Sequence, residues 1–221
     1  MISKRWLALA MFLSIGLWAK EGDPAKHPNT KGWPDLFAAD LSNADFKPGG
    51  WVMEQGVLSA KDHETLWTKK SYGNFVLDLE FKVAKGANSG VFLRTGDPKN
   101  VLSAFEIQVH ETTDGTKYGM VGALYDAKAP AGNPAKPAGE WNRFTITCRD
   151  SRLSLVFNGI QALDLDLNDW TEARKNPDGT PNKFPKALKD YSRTGPIGFQ
   201  GIHGREAALV WFRNIKIQEL K

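Results

Sequence analysis

Cysteine is almost missing from this chain. Cys148 is the only one in 221 residues, so no internal disulfide can form and the fold must be held by its core. Long runs of like charge are also missing. The formal net charge is +4, and removing the two positive charges of Lys4 and Arg5, which belong to a leader, leaves +2. That is too little for an electrostatic nucleic-acid footprint, and no nucleic-acid partner is expected. The four histidines, His27, His63, His110 and His203, lack zinc-site spacing. There is no phosphate-binding loop. "GANSG" (86–90) is not a nucleophile elbow, because it lacks the residue order and the strand-to-helix setting. "DLDLND" (164–169) starts like a calcium loop, but Asp169 replaces the required Gly and Lys175 stands where the twelfth-position Glu belongs. No internal repeat is visible. Helical periodicity is scarce, with room for a turn or two within residues 169–190 (Trp170, Ala173, Phe184, Leu188).

The N-terminus, "MISKRWLALAMFLSIGLWAK", has a basic start followed by an apolar stretch from Trp6 to Trp18. This is the pattern of a secretory signal, and the stretch is short for a transmembrane helix. The expected division is a signal peptide over 1–19, a linker over 20–32 rich in Pro, Gly, Lys and Asn, and one domain over 33–221. No Cys follows the apolar stretch, which argues against lipid attachment. The mature protein is expected in the periplasm or outside the cell, with no stable membrane association. The alternative is an uncleaved membrane anchor.

What is present is apolar and strand-like. Eight Trp and twelve Phe stand in a chain that is 41% hydrophobic and 24% charged, the balance of a soluble globular protein. "NFVLDLEFKV" alternates, with Phe75, Leu77, Leu79, Phe81 and Val83 on one face and Asp78, Glu80 and Lys82 on the other. "NSGVFLR" sends Val91 and Leu93 inward and Asn88, Gly90, Phe92 and Arg94 outward. "RFTITCRD", "RLSLVFNG" and "QALDLDL" alternate as well, and Asn158-Gly159 signals a hairpin turn. Regular strands without long intervening helices predict an all-β antiparallel sandwich or jelly roll. The segment "GALYDAKAPAGNPAKPAGEW" (122–141) is a long loop of the kind that is often functional. Trp141 and Phe212 are expected in the core. Arg213 shares parity with Ile215 and Ile217 unless a bulge at Asn214 shifts the phase.

"FEIQVHE" (105–111) sets Phe105, Ile107 and Val109 against a polar row of Glu106, Gln108 and His110. A solvated sheet face and the floor of a site both fit this pattern.

Several stretches together resemble one family, the 3-keto-disaccharide hydrolases. They are "LWTKKSYGNFVLDLEFKVAKGANSGVFLR" (66–94), "FEIQVHE" (105–111), "GALYDAKAP" (122–130), "GEWNRFTITCRDSRLSLVFNG" (139–159), "GPIGFQGIHG" and "VWFRNIKI". The likeness covers roughly residues 33–220. It implies a concanavalin A-like jelly-roll sandwich of two antiparallel sheets and a 3-keto-glucoside or 3-keto-disaccharide as substrate. The implied chemistry is 3-keto-glucoside lyase and hydratase activity. A ketone at carbon 3 acidifies the carbon-2 hydrogen; its loss lets carbon 1 expel the aglycone, and water then adds back. Such a route needs a base, a donor for the oxyanion and an acid for the leaving oxygen. The resemblance makes Glu106 or His110 the base and His203 the acid. Arg94 and Gln108 would hold the oxyanion or hydroxyls, with Asn88, Tyr125 and Gln200 as further sugar contacts. No cofactor is certain; a divalent ion on Glu106 and His110 could replace some donors. Two other readings are a non-catalytic carbohydrate-binding sandwich and an ordinary glycoside hydrolase with paired carboxylates.

Overall fold

The computed structural model describes residues 20–111, 117–203 and 208–221. The expected signal peptide lies outside them. The described residues form two antiparallel sheets, as the alternation predicts. Twelve strands are present: β1 (Ala44–Asp45), β2 (Trp51–Glu54), β3 (Val57–Ala60), β4 (Leu66–Tyr72), β5 (Phe75–Val83), β6 (Asn88–Leu93), β7 (Phe105–His110), β8 (Asn142–Arg149), β9 (Arg152–Phe157), β10 (Ile160–Asp166), β11 (Gly195–Phe199) and β12 (Val210–Glu219). One sheet has the order β1-β4-β11-β6-β7 and the other β10-β9-β8-β5-β12-β3-β2. The helical signal around 169–190 resolves into 3-10 turns at Leu167–Asp169 and Leu188–Asp190. Among the described residues no helix is long and apolar enough to cross a membrane.

Period-2 alternation builds the core between the sheets. Phe75, Leu77, Leu79 and Phe81 of β5 are fully buried with Phe105, Ile107 and Val109 of β7, and all belong to one apolar cluster. Phe199 of the smaller sheet meets Phe212 of the larger edge-on, with ring centroids 4.8 Å apart. Each such buried side chain contributes roughly 1.5–3 kcal/mol of transfer free energy. Cys148 is fully buried here, and burial pushes its thiol up to about 11, which leaves it inert. Asn158 and Gly159 both have positive φ, as a two-residue hairpin between β9 and β10 requires.

The structure departs from the linear reading at residues 20–32 and at Trp141, and it decides the open question of a bulge at Asn214. Residues 20–32 are not a free linker. Gly22 N–H donates to Gln161 O (2.8 Å), Gln161 N–H to Asp23 O (2.9 Å) and Ala25 N–H to Gly159 O (2.8 Å), so the segment adds an edge to β10. His27 pins it: Gly159 N–H donates to Nε2, so Nδ1 carries the proton and donates to Thr145 Oγ1 at 2.8 Å. Asn214 has φ 51 and the β12–β5 register shifts between Arg213 and Lys216. This bulge buries Ile215 and Ile217 while Arg213 pairs with Glu80 at 2.6 Å. Trp141 is not core: it is half-buried, with Arg213 4.0 Å and Lys82 5.0 Å from its ring.

Candidate active site

The face of the smaller sheet that turns away from the core collects most of the polar residues singled out in the sequence. Three rows run across it. In the first, Gly198 of β11 pairs with Phe92 of β6, which pairs with Glu106 of β7. In the second, Gln200 N–H donates to Gly90 O at 2.9 Å and Gly90 pairs with Gln108. In the third, His203 bridges Asn88, which pairs with His110. Gln108 Nε2 donates to Asn88 Oδ1 at 3.2 Å. Thus Glu106, Gln108, His110, Asn88, Gln200 and His203 are brought together by register, although they come from three separate segments.

Two glycines set the depth of this face. A Cβ on Gly198 would lie 2.3 Å from the Trp67 ring, so that indole rests across the strand and stacks on Phe92, centroids 5.5 Å apart. A Cβ on Gly90 would lie 2.5 Å from Glu106 Oε1, so the carboxylate lies over Gly90. Glu106 is only 6% exposed and Gln108 3%. A polar row this deep is no ordinary wet sheet face. Gln200 Oε1 is buried with no donor among the described residues.

The long loop after β7 covers the row. Gly122 N–H donates to Gln108 O (2.9 Å), Gln108 N–H to Ala123 O (3.0 Å) and Tyr125 N–H to Glu106 O (2.9 Å), so the loop extends the sheet edge. Burial, followed by the charges of Glu106 and Asp126, pushes the Tyr125 phenol up, so it stays protonated at neutral pH.

The sequence reading missed Lys183. Its ammonium is 3.0 Å from Glu106 Oε2 and 4.2 Å from the centroid of the Tyr125 ring. A second loop delivers it. Lys183 N–H donates to the Asp126 carboxylate, Asn176 Nδ2 donates to Asp126 O (3.2 Å), and neighbouring Phe184 is fully buried. Nothing periodic marks this position; the signal is the Asn-Lys-Phe run following the turn Asn-Pro-Asp-Gly-Thr-Pro (176–181), which is too weak to find alone.

Arg94 is not on this face. It has φ 49, in the left-handed region, and this takes its side chain out of the alternation of β6. The guanidinium is fully buried and donates to Gly73 O (2.8 Å), Asp150 O (2.6 Å) and Asn74 Oδ1 (3.1 Å). It ties the β4–β5 turn to the β8–β9 turn. Arg94→Ala is therefore expected to lower stability by ~2–4 kcal/mol, because several acceptors lose their donor, and to leave turnover of the folded enzyme unchanged. Denaturant midpoints read beside kcat check this; a kcat loss at full stability would return Arg94 to the site.

Among the described residues no group of three or more His, Cys, Asp or Glu is gathered for one metal ion. The ammonium of Lys183 already pairs with Glu106. These residues do not fit a divalent cation. A cleft of about 700 Å³ lies elsewhere, lined in part by Lys117, Tyr118, Lys128, Arg152, Asp164 and Trp170. Six of its charged residues are engaged in the pairs Lys117–Asp178, Lys128–Glu21 and Arg152–Asp164, so the strand face, with its buried carboxylate, is the better candidate for chemistry.

Comparison with known proteins agrees with this assignment of the fold. A family described as 3-keto-alpha-glucoside-1,2-lyase-like domain matches residues 29–218. A 3-keto-disaccharide hydrolase from Bacteroides thetaiotaomicron is 27% identical over 96% of this chain and 87% of its own. A solved structure of a candidate glycosyl hydrolase from Parabacteroides distasonis is 38% identical, with TM-score 0.81, over 85% of this chain and 99% of its own. A carbohydrate-binding module from Bacillus subtilis is 11% identical with TM-score 0.51, over 83% of this chain and 99% of its own, a likeness of fold alone.

Proposed function

The chain belongs to the family of 3-keto-alpha-glucoside-1,2-lyase-like domains, and from that premise we propose that it cleaves 3-keto-glycosides, including 3-keto-disaccharides, by elimination followed by hydration. The observation that carries this reading is the Glu106 carboxylate, buried over Gly90 on a strand face with Gln108, His110 and Asn88 around it.

Glu106 takes the carbon-2 proton; the C2–H pair moves toward the carbon-3 carbonyl and gives an enediolate. The carbonyl re-forms, a C1=C2 double bond forms and the C1–O bond breaks, with a proton delivered to the leaving oxygen. His203, exposed at the rim of the third row, suits that delivery. Water then adds its hydroxyl to carbon 1 and a proton returns to carbon 2. Gln108, Asn88, Gln200 and Tyr125 hold sugar hydroxyls. The net reaction is hydrolysis without an oxocarbenium-like transition state.

The other two readings fit less well. Direct hydrolysis wants two carboxylates about 5–9.5 Å apart; among the paired residues of this face Glu106 stands with an amide, an imidazole and a glycine. A binding module wants exposed aromatic platforms, and here Trp67 and Phe92 are folded down, 9% and 0% exposed.

The test is incubation with a 3-keto-glucoside in heavy water. Free 3-ketoglucose carrying deuterium at carbon 2 is expected. Product with no label there would reject elimination and favour direct hydrolysis. Export rests on the basic start and short apolar run, and N-terminal sequencing of the mature protein checks it.

A further inference from the structure

The elimination needs a cation or donor where negative charge develops on the carbon-3 oxygen. Of the two residues the sequence offers for that role, Gln108 is on the face but neutral, and Arg94, the cation, is buried elsewhere and committed to Gly73, Asn74 and Asp150. Lys183 takes its place beside the base. We propose that Lys183 is a catalytic residue of this site, its ammonium donating to the carbon-3 oxygen of a 3-keto sugar while Glu106 removes the carbon-2 proton. The proposal rests on the proposed cleavage of 3-keto-glycosides.

The geometry supports it in four ways. First, an ammonium has three N–H donors; one reaches Glu106 Oε2 at 3.0 Å, which leaves donors for a ligand oxygen. Second, the pairing uses Oε2, whereas Oε1 lies over Gly90. The carboxylate is thus oriented through Oε2, and Oε1 is not taken up by that pair. Carbon 2 and the carbon-3 oxygen are separated by two bonds in the sugar, so the base and the donor that serve them must be neighbours, as the Glu106 carboxylate and the Lys183 ammonium are at 3.0 Å. Third, the amine is held still. Its backbone N–H is tied to Asp126, its neighbour Phe184 is fully buried, and the ammonium lies on the faces of Tyr125 (4.2 Å) and Phe184 (5.6 Å). Preorganised donors are what such a transition state requires. Fourth, the Lys183 side chain is 20% exposed against 7% for Glu106. It reaches the carboxylate from the open side, where a substrate also arrives.

The role differs from Schiff-base catalysis, in which the lysine would attack the ketone and expel water. Lys183 stays an ammonium in the proposed step, forms no bond to carbon and ends the cycle unchanged. The electron pair on the carbon-3 oxygen flows back when the C1–O bond breaks.

The experiment uses the full chain with a 3-keto-glucoside in heavy water and compares Lys183→Gln, Lys183→Met and Lys183→Arg with the wild type. Two neutral replacements are made so that one still reports if the other fails to fold. The neutral variants are expected to lose ~10²–10³ in kcat, with carbon-2 labelling slowed in parallel and KM changed far less. Lys183→Arg keeps a charged donor and is expected to recover at least about tenfold over them. A merely structural lysine would lower melting temperature and leave kcat of the folded fraction in place. A neutral variant that folds and stays within threefold of wild-type kcat overturns the proposal while leaving the reaction standing. Wild-type protein that neither releases 3-ketoglucose nor labels carbon 2 overturns the reading of function and this proposal together. Borohydride added during turnover is expected to leave the protein mass unchanged; a reduced sugar adduct on Lys183 would replace the donor role with covalent catalysis.

Discussion

Glu106→Gln is expected to lower turnover of a 3-keto-glucoside ~10²–10⁴-fold, the range lost with a general base, and to leave the fold in place. The amide has nearly the same shape as the carboxylate, so it fits over Gly90 where the acid lies now. Its oxygen can still accept from Lys183, which replaces the ion pair at 3.0 Å with a neutral hydrogen bond. What disappears is basicity. Removing one member of a buried ion pair often costs several kcal/mol because the other charge is stranded. Here the Lys183 side chain is 20% exposed, so water can solvate the ammonium, and a small shift in melting temperature is expected. Activity and melting temperature measured on the same preparation separate the two effects. A folded variant with kcat within threefold of wild type would remove Glu106 from the mechanism and pass the role of base to His110, its neighbour on the same strand face.

The contrast between Glu106 and Arg94 shows what a linear sequence can disclose about such a site. Inside β7 the period of two is physical: successive Cβ atoms point to opposite sides, so the row Glu106, Gln108, His110 is legible from residue order alone. The same rule applied to Arg94 fails, because the chain leaves β6 at Leu93 and Arg94 turns left-handed. A positive φ at a residue other than Gly has no compositional marker strong enough to foresee it. Register is the second thing the sequence hides. That Gly90 stands opposite Gln108 and beneath the Glu106 carboxylate depends on how β6 and β7 slide against each other. Lys183 is hidden for a third reason. It is 77 positions from Glu106 and is carried in by a loop that docks through Asp126 and Asn176. Such contacts are tertiary and leave no local period. The segment 20–32 reads as a linker because edge pairing uses backbone groups, which any composition supplies. The sandwich itself is legible because β5, β7, β8 and β9 each carry apolar residues at every second position, the mark of a strand with one face in the core.

Gly90→Ala is expected to be nearly as damaging to catalysis as a change at Glu106 itself, on the order of 10²-fold in kcat, the scale of an ångström-level misplacement of a reacting group. The added Cβ would stand 2.5 Å from Glu106 Oε1, 2.9 Å from Cγ and 3.1 Å from Cδ. The first two are shorter than contact allows and the third is tight, so one partner must move. The strand cannot yield easily, since Gly90 sits between β7 and β11 and accepts from Gln200 N–H at 2.9 Å. The glutamate side chain can, by changing rotamer. The carboxylate then leaves the sheet and takes its bond to Lys183 with it or breaks it. Stability should change little: Gly90 is not among the residues with positive φ, so alanine brings no backbone strain, and replacing Gly within a strand returns roughly 0.5–1 kcal/mol of chain entropy. Gly198→Ala is the control for a different failure. There the Cβ would meet the Trp67 ring at 2.3 Å, and a stacked indole has no comparable escape, so a loss of stability is expected first. The two variants thus separate a displaced base from a damaged sheet. If Gly90→Ala turns over 3-keto-glucoside at the wild-type rate and labels carbon 2 as fast, the carboxylate position over Gly90 is not the reactive one, and the base acts from another rotamer.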